Sequence, residues 1–153
     1  MLAHSFSTVI GRLAAVESDG FITAVLLSNH PPGNMPEGTS PVLIEAERQI
    51  TEYLSGQRRS FDLPVRTDFD GFRKDVMDAM LRIPYGKTMS YAELARESGH
   101  PNAYRAVGTV CRTNPLPLIY PCHRVIPSTG GIGAYGGTPE VKERLLRIEG
   151  ALQ

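Results

Sequence analysis

The sequence predicts an α+β protein, in which a small N-terminal α/β domain with a short antiparallel sheet packs on a mainly helical, winged-helix-like domain. Three short segments rich in Val, Ile, Phe and Thr occupy residues 3–9, 12–17 and 21–28. The last two flank Asp19-Gly20, a dipeptide that favours a tight hairpin turn. Helical spacing dominates further along the chain, where two short helices joined by a glycine-containing turn predict a helix-turn-helix.

The N-terminal domain, residues 1–65, is expected to be a scaffold. After the strands, Ser40-Pro41 has the pattern of a helix cap followed by a first helical residue, and Gly56 can end that helix. Residues 61–65 are expected to add one more short strand. No cluster of His, Cys or paired acids falls within this part of the sequence, so it offers no catalytic or metal-binding candidate.

The C-terminal domain, residues 66–153, begins with a helix predicted over residues 69–83, and the Pro-Tyr-Gly sequence that follows stops it. The last helix begins at Thr138-Pro139, where a cap precedes a favourable first-position proline. Helical spacing predicts that the buried stripe of this last helix consists of Val141, Leu145 and Ile148.

The helix-turn-helix is predicted over residues 90–112. Ser90 and Glu93 form a capping-box pattern at the start of its first helix, which stops at Gly99, and the second helix runs over residues 103–112. One face of the second helix combines cations with small residues, which would let its backbone approach a phosphate-lined groove; these residues are Arg105, Gly108, Thr109 and Arg112. An ordinary solvated face, with close helix packing at the glycine, is the alternative interpretation.

Composition places the chain among ordinary globular proteins, with 41% hydrophobic and 21% charged residues. The net charge is zero, but residues 79–127 hold 6 Lys and Arg against 2 Asp and Glu, a local excess that suits a nucleic-acid-binding face. The sequence has no uncharged apolar run of membrane-spanning length and no signal-peptide pattern, so we expect a cytoplasmic protein without a membrane partner. The two cysteines fit no zinc spacing, and neither a metal nor a cofactor is expected.

The most unusual segment is residues 114–125, which reads Asn-Pro-Leu-Pro-Leu-Ile-Tyr-Pro-Cys-His-Arg-Val. Its prolines remove backbone donors and fix φ, so the segment cannot be a regular helix. Cys122 ends this stiff approach and is followed by His123 and Arg124, whose positive charge can lower the pKa of a thiol. One interpretation is an activated sulfur, and the other is a buried structural cysteine.

Glu149 is a second candidate residue, close to the end of the last predicted helix. It follows Leu145 by four residues and therefore projects toward the core side of that helix. A buried carboxylate needs a partner, because burying it alone is expensive. Either Glu149 extends into water at the frayed end of the helix, or it orients and polarises His123, directly or through water.

The Pro-Cys-His-Arg-Val string resembles the active-site signature of the O6-alkylguanine-DNA alkyltransferases. Asn114-Pro115, the Ile-Pro-Tyr-Gly-Lys turn before the helix-turn-helix and Ile-Glu-Gly near the C-terminus resemble the same family, so the resemblance covers residues 66–151. It implies direct-reversal repair of double-stranded DNA bound through the minor groove. A flipped O6-alkylguanine, or O4-alkylthymine, would give its alkyl group irreversibly to the cysteine. The expected protein is a single-turnover methyltransferase and a monomer, with cooperative binding along DNA left open.

The resemblance also implies roles for individual residues. Cys122 would accept the alkyl group, with His123 as its base, linked through water to Glu149. Asn114 would hold the turn before the active site, and Tyr91 would donate a proton to the departing guanine. DNA contacts would come from Arg105, which enters the base stack, and from Ala103, Tyr104, Gly108, Thr109, Arg112 and Arg124. The guanine pocket would use the backbone carbonyls of Cys122 and Val125 and would be lined further by Tyr135, Gly136, Gly137 and Cys111.

Three positions depart from the family pattern: Gly136 replaces a common serine, Tyr104 replaces a small residue, and Cys111 borders the pocket from the second helix. Two other functions compete with alkyl transfer. A cysteine hydrolase built on Cys122 and His123 would turn over repeatedly on an ester or amide. A non-catalytic helix-turn-helix regulator would bind one duplex sequence and transfer nothing.

Overall fold

The computed structural model describes residues 1–133 and 135–152. They form two compact units, Met1–Thr67 and Asp68–Gln153, and each is described by itself. The predicted α+β class is confirmed, since the described residues form five α-helices, a three-stranded antiparallel sheet and a two-stranded parallel pair. No helix among the described residues has both the length and the apolar character needed to cross a bilayer.

The first unit is an antiparallel sheet with one helix. Strands β1 (Leu2–Thr8), β2 (Gly11–Ser18) and β3 (Phe21–Leu26) lie side by side in chain order. The predicted Asp-Gly turn joins β2 to β3, and both of its residues have positive φ, as a hairpin of this type requires. Helix α1 (Pro41–Leu54) packs on the sheet, and its cap forms as predicted, because Ser40 Oγ accepts the N–H of Leu43.

The predicted strand over residues 61–65 is wrong. Only Val65 pairs, in an isolated bridge to Ile22 of β3. The Ile22 N–H donates to the Pro64 carbonyl over 2.8 Å, and Arg66 N–H donates to the Ile22 carbonyl over 3.0 Å. Proline has no N–H to extend the ladder, so the pairing stops at this single residue.

The second unit is mainly helical. Its helices are α2 (Gly71–Met80), α3 (Tyr91–Glu97), α4 (Tyr104–Arg112) and α5 (Pro139–Ile148). Helix α2 begins later than predicted, because Asp70 is extended and acts as the N-cap, so Phe69 lies outside the helix. The start of α5 is as predicted, with Thr138 accepting the N–H of Val141.

Helices α3 and α4 form the predicted helix-turn-helix. The capping box is present in full: Ser90 accepts the Glu93 N–H, and the Glu93 carboxylate accepts the Ser90 N–H, both over 3.0 Å. At the other end of α3, Gly99 has φ of +86° and donates to Arg96, while His100 N–H reaches back to the Ala95 carbonyl. This is a Schellman termination, which fixes the direction in which the chain leaves α3 toward α4.

A short parallel pair, not predicted from the sequence, links the helix-turn-helix to the cysteine segment. Strand β4 (Met89–Ser90) immediately precedes α3, and strand β5 (Val125–Ile126) immediately follows a single 3-10 turn over Cys122–Arg124. Met89 pairs with Val125 in this ladder. The cysteine turn is therefore anchored by backbone hydrogen bonds to the residues that start the helix-turn-helix.

Candidate active site

Cys122 lies in the interior of the second unit with its sulfur held by an amide. The residue is 1% exposed. Asn114 Nδ2 donates to Cys122 Sγ over 3.2 Å and to the Tyr120 carbonyl over 2.9 Å, while Asn114 Oδ1 accepts the Leu116 N–H over 2.8 Å. All the polar atoms of the Asn114 side chain are therefore used in fixing the approach to the cysteine.

The surroundings of the sulfur are not purely apolar. Burial raises the pKa of the Cys122 thiol to about 11, and the hydrogen bond from Asn114 and the charge of Lys142 act in the opposite direction. At rest the sulfur is therefore a thiol, which needs a base to become a nucleophile. The second cysteine, Cys111, is also free and buried, and burial raises its pKa more strongly.

Lys142 is a component of the site that the sequence did not reveal. Its side chain is fully buried, its Nζ donates to the Val125 carbonyl over 2.6 Å, and it lies 5.8 Å from the centre of the Tyr91 ring. Burial lowers the pKa of this ammonium to about 8, against the attraction of Cys111 and Cys122. A cation thus interacts electrostatically with both thiols, and it donates to a carbonyl expected to read the guanine edge.

The position of Lys142 follows from a shifted helix face. The expected stripe of Val141, Leu145 and Ile148 is only partly right, since α5 buries Lys142, Leu145 and Leu146. Together with Glu149 these residues stand at i, i+3, i+4 and i+7, the spacing of one helix face. The spacing could have revealed the lysine, but a lysine is almost never fully buried, so an apolar neighbour was preferred.

Glu149 lies at the C-cap of α5 and its carboxylate is completely enclosed. Oε1 accepts from Gly86 N–H over 3.1 Å and from Arg124 Nε over 2.9 Å. Oε2 accepts from Arg124 Nη2 over 2.9 Å and lies 2.7 Å from His123 Nε2. The interpretation of a frayed, solvated Glu149 is therefore wrong, and its contact with His123 is direct rather than through water.

This contact determines which nitrogen of His123 can act as a base. An ionised carboxylate only accepts hydrogen bonds, so in the neutral ring Nε2 carries the hydrogen and Nδ1 is the basic nitrogen. Burial lowers the pKa of His123, and this effect outweighs the opposite influence of Glu149. The ring is therefore neutral at pH 7. A neutral imidazole of fixed tautomer, next in sequence to a thiol, has the properties of a general base.

Arg124 is placed differently from its expected DNA contact. It is 7% exposed, it forms the two-pronged pair with Glu149, and its Nη1 donates to the Ile83 carbonyl over 2.7 Å. The guanidinium also lies 5.7 Å from the centre of the Tyr85 ring. The Ile-Pro-Tyr-Gly-Lys turn therefore holds the Arg124–Glu149 pair, a role that sequence reasoning missed.

The glycine-rich loop, of which the structure describes residues 129–133 and 135–137, lies close to Tyr91 and to the end of α4. An added Cβ at Gly133 would lie 2.8 Å from Tyr91 Oη, and one at Gly136 would lie 2.9 Å from the Arg112 carbonyl oxygen. A serine at position 136 would therefore require the loop or the helix end to shift. Tyr135 is buried, its pKa is raised well above 10 by burial and by Cys122, and its hydroxyl has no hydrogen-bond partner among residues 1–133 and 135–152. Gly137 is half-buried in the same loop.

The outer face of α4 presents the predicted cationic residues. Arg105, Thr109 and Arg112 are exposed, Ala103 at the N-cap is half-buried, and Tyr104 is 48% exposed beneath the Arg105 guanidinium at 5.8 Å. Gly108 is buried, yet outside the backbone of its own helix the nearest atom to an added Cβ would be Tyr91 Cε1 at 3.9 Å. Internal packing therefore does not require a glycine at position 108.

A buried thiol, a neutral histidine oriented by a carboxylate and a helix-turn-helix are the features expected of a DNA-binding protein with a cysteine nucleophile. The family model described as the DNA-binding domain of 6-O-methylguanine DNA methyltransferase matches residues 71–151. The chain belongs to the family of methylated-DNA–protein-cysteine methyltransferases.

Individual relatives extend the match to nearly the whole chain. The constitutive methylated-DNA–protein-cysteine methyltransferase of Bacillus subtilis is 38% identical over 93% of this chain and 91% of its own length. The methyltransferase of that name from Methanosarcina acetivorans is 42% identical over 70% of this chain and 69% of its own. The crystal structure of Mycobacterium tuberculosis OGT in complex with DNA has a TM-score of 0.89 and 31% identity, and the match covers 99% of this chain and 94% of that one.

Proposed function

We propose that this protein repairs O6-alkylguanine in DNA by direct reversal, and that Cys122 is the alkyl acceptor. The proposal rests mainly on one observation: in a chain of this family, the only free thiol next to a histidine–glutamate pair, among the described residues, is that of Cys122. O4-alkylthymine is a second expected substrate. Because both thiols must stay reduced, the cytoplasm is the proposed location.

The proposed reaction is a single displacement at the alkyl carbon. The Cys122 proton passes to His123 Nδ1, and the sulfur electron pair forms a bond to the alkyl carbon while the bond from that carbon to guanine O6 breaks. The released electron pair stays on guanine, which takes up a proton from Tyr91. Lys142 stabilises the thiolate by its charge. The product is a thioether with no hydrolysable bond, so each molecule reacts once.

The substrate base must leave the DNA stack to reach this sulfur, because Cys122 is almost fully enclosed. We propose that α4 binds the minor groove and that Arg105 fills the space of the flipped nucleotide. Unstacking costs a few kcal/mol, which wedge residues and groove contacts offset. Phosphate or groove contacts are assigned to the half-buried Ala103 and to the exposed residues Tyr104, Thr109 and Arg112. In place of a DNA contact, we assign Arg124 the role of holding Glu149 against His123.

The guanine pocket is proposed to lie beneath the glycine-rich loop. The Cys122 and Val125 carbonyls are assigned to one edge of the base, although the Val125 carbonyl also accepts from Lys142. Tyr135, Gly136, Gly137 and Cys111 complete the proposed lining. Access requires the residues that cover the sulfur to move, because Cys122 is 1% exposed. A monomer is expected to suffice, because every proposed catalytic residue belongs to one chain.

Gly108 supplies a prediction in which stability and binding change in opposite directions. Replacing it with alanine should raise the free energy of unfolding by up to about 1 kcal/mol, because glycine is unfavourable inside a helix and the new methyl group has only ordinary contacts. Affinity for duplex DNA should fall by about tenfold, roughly 1.4 kcal/mol, if the methyl group stands between the helix and the groove. Chemical denaturation and fluorescence anisotropy measure the two quantities. Unchanged affinity would leave Gly108 outside the interface.

Intact-mass spectrometry tests the function. Incubation with a duplex containing O6-methylguanine should add one methyl group, about 14 Da, to at most one site per molecule, and peptide mapping should locate it at Cys122. Excess substrate should give no second turnover. Repeated turnover on an ester or amide would instead support a cysteine hydrolase, and tight binding to one duplex sequence without a mass change would support a regulator.

A further inference from the structure

We infer that Arg73, on the first turns of α2, is a positioning residue for the active-site cysteine. It acts through Asn114, whose amide holds the sulfur, and it touches neither the thiol nor the proposed base. The inference rests on the proposed function of Cys122 as alkyl acceptor.

The first contact of Arg73 is with the end of α4. Its Nη2 donates to the Thr113 carbonyl over 2.6 Å, and its Nη1 donates to Thr113 Oγ1 over 3.3 Å. Thr113 is the C-cap of α4, where carbonyl groups have no partner within the helix, and a cation at this end also complements the helix dipole. Thr113 is followed directly by Asn114, so Arg73 fixes the backbone from which the Asn114 side chain projects.

The second contact of Arg73 leads to the other anchor of Asn114. Its guanidinium lies 5.3 Å from the centre of the Phe69 ring, and that ring packs edge-on against Tyr120 with centroids 5.5 Å apart. The Tyr120 carbonyl accepts one hydrogen of the Asn114 amide, and Cys122 Sγ accepts from the same nitrogen. Arg73 thus holds Thr113 directly, and through Phe69 it also limits the movement of Tyr120, whose carbonyl binds the Asn114 amide.

These contacts form a closed ring in which each member limits the movement of the next. The ring runs from Arg73 to Thr113, Asn114, Tyr120 and Phe69, and back to Arg73. An amide that must bind a carbonyl and a sulfur at once works only within a few tenths of an ångström. Releasing the end of α4 would let Asn114 keep the stronger carbonyl bond and lose the weaker one to sulfur. The cost would appear in the chemical step rather than in DNA binding.

The test compares Arg73→Met with Lys74→Met by single-turnover methyl transfer from an O6-methylguanine duplex. Lys74 is the adjacent residue, is exposed, and its ammonium pairs with the Asp78 carboxylate one turn along α2. Arg73→Met should lower the rate at saturating protein by about tenfold and leave the half-saturating concentration within about twofold. Lys74→Met should change both by less than about twofold. Arg73→Lys, which keeps one donor, should restore part of the rate.

A double-mutant cycle with Asn114→Ala separates positioning from general loosening of the fold. If Arg73 acts through Asn114, Arg73→Met should have no further effect in the Asn114→Ala protein. An equal fall in rate in both backgrounds would overturn the inference, and so would an unchanged rate. Weaker DNA binding at an unchanged saturated rate would also overturn it, by making Arg73 a phosphate contact.

A replacement variant and the wild-type protein complete the test. If circular dichroism shows that Arg73→Met does not fold, Phe69→Leu replaces it, with a smaller fall in rate and the same dependence on Asn114. If the wild-type protein itself gains no methyl group, the proposed function fails, and this result is distinct from a failure of Arg73 alone.

Discussion

Replacing Cys122 with alanine should abolish alkyl transfer while leaving DNA binding within about twofold of the wild type. In the proposed reaction the Cys122 sulfur is the atom to which the new bond forms, and alanine offers no nucleophile at that position. Loss of a catalytic nucleophile typically lowers the rate by a factor of roughly 10⁴ or more. After overnight incubation with O6-methylguanine duplex, the intact mass should be unchanged and the duplex should still contain its methyl group.

Cys111 provides the matched control for this experiment. It is the same residue type, it is also fully buried, and it lies within electrostatic reach of Cys122. Cys111 is proposed only to line the pocket and forms no bond in the reaction, and burial raises the pKa of its thiol more strongly than that of Cys122. Cys111→Ala should therefore transfer methyl at a rate within about threefold of the wild type. Methyl transfer by the Cys122→Ala protein, or its loss in the Cys111→Ala protein alone, would exchange the roles of the two cysteines.

Replacing Glu149 with glutamine should both destabilise the protein and slow the reaction. The substitution preserves shape but removes the charge that compensates Arg124, and an uncompensated buried charge typically costs about 3–5 kcal/mol. In a protein of this size the melting temperature should fall by about 10 °C. The glutamine amide can also donate to His123 Nε2 and favour the opposite tautomer, in which Nδ1 carries the hydrogen and is no longer basic. Methyl transfer should therefore slow by about 10²- to 10⁴-fold.

Glu143 on the same helix gives the control for Glu149. Its carboxylate pairs with Arg147 one turn away, and both side chains are close to half exposed. Such a pair contributes at most about 1 kcal/mol, so Glu143→Gln should lower the melting temperature by no more than a few degrees and leave the transfer rate unchanged. Calorimetry and single-turnover kinetics on both variants measure the comparison. If Glu149→Gln changed the melting temperature and the transfer rate as little as Glu143→Gln does, the contacts of Glu149 with His123 and Arg124 would be neither structural nor catalytic.

The sequence predicted best those elements whose start or end has its own local chemistry. Ser40, Ser90 and Thr138 each mark a helix start by a hydrogen bond within three residues, and all three caps form. The hairpin at Asp19-Gly20 is equally local. Residues 61–65 had strand composition but no such signal, and the single bridge there depends on β3, which is distant in the sequence.

The site could be predicted only where it is continuous in the sequence. Cys122 and His123 stand next to each other, and Asn114 is close enough to be recognised with them. The contacts that determine the chemistry join distant segments: Gly86 to Glu149, Arg124 to Ile83, and Lys142 to Val125. Contacts between such distant residues cannot be predicted from sequence spacing. In addition, a buried cation contradicts the usual preference of charged residues for the surface. Arg124 and Lys142 were therefore missed or misassigned for a physical reason.

The concealment of the Cys122 sulfur has a consequence for the life of the molecule in the cell. A protein that reacts once is lost if a peroxide, an aldehyde or a metabolic electrophile reaches its thiol before damaged DNA does. A protonated sulfur that solvent hardly touches is a poor target for such reagents, which attack accessible thiolates. The burial that separates the Cys122 sulfur from a substrate therefore also protects it from these reagents until the protein binds damaged DNA.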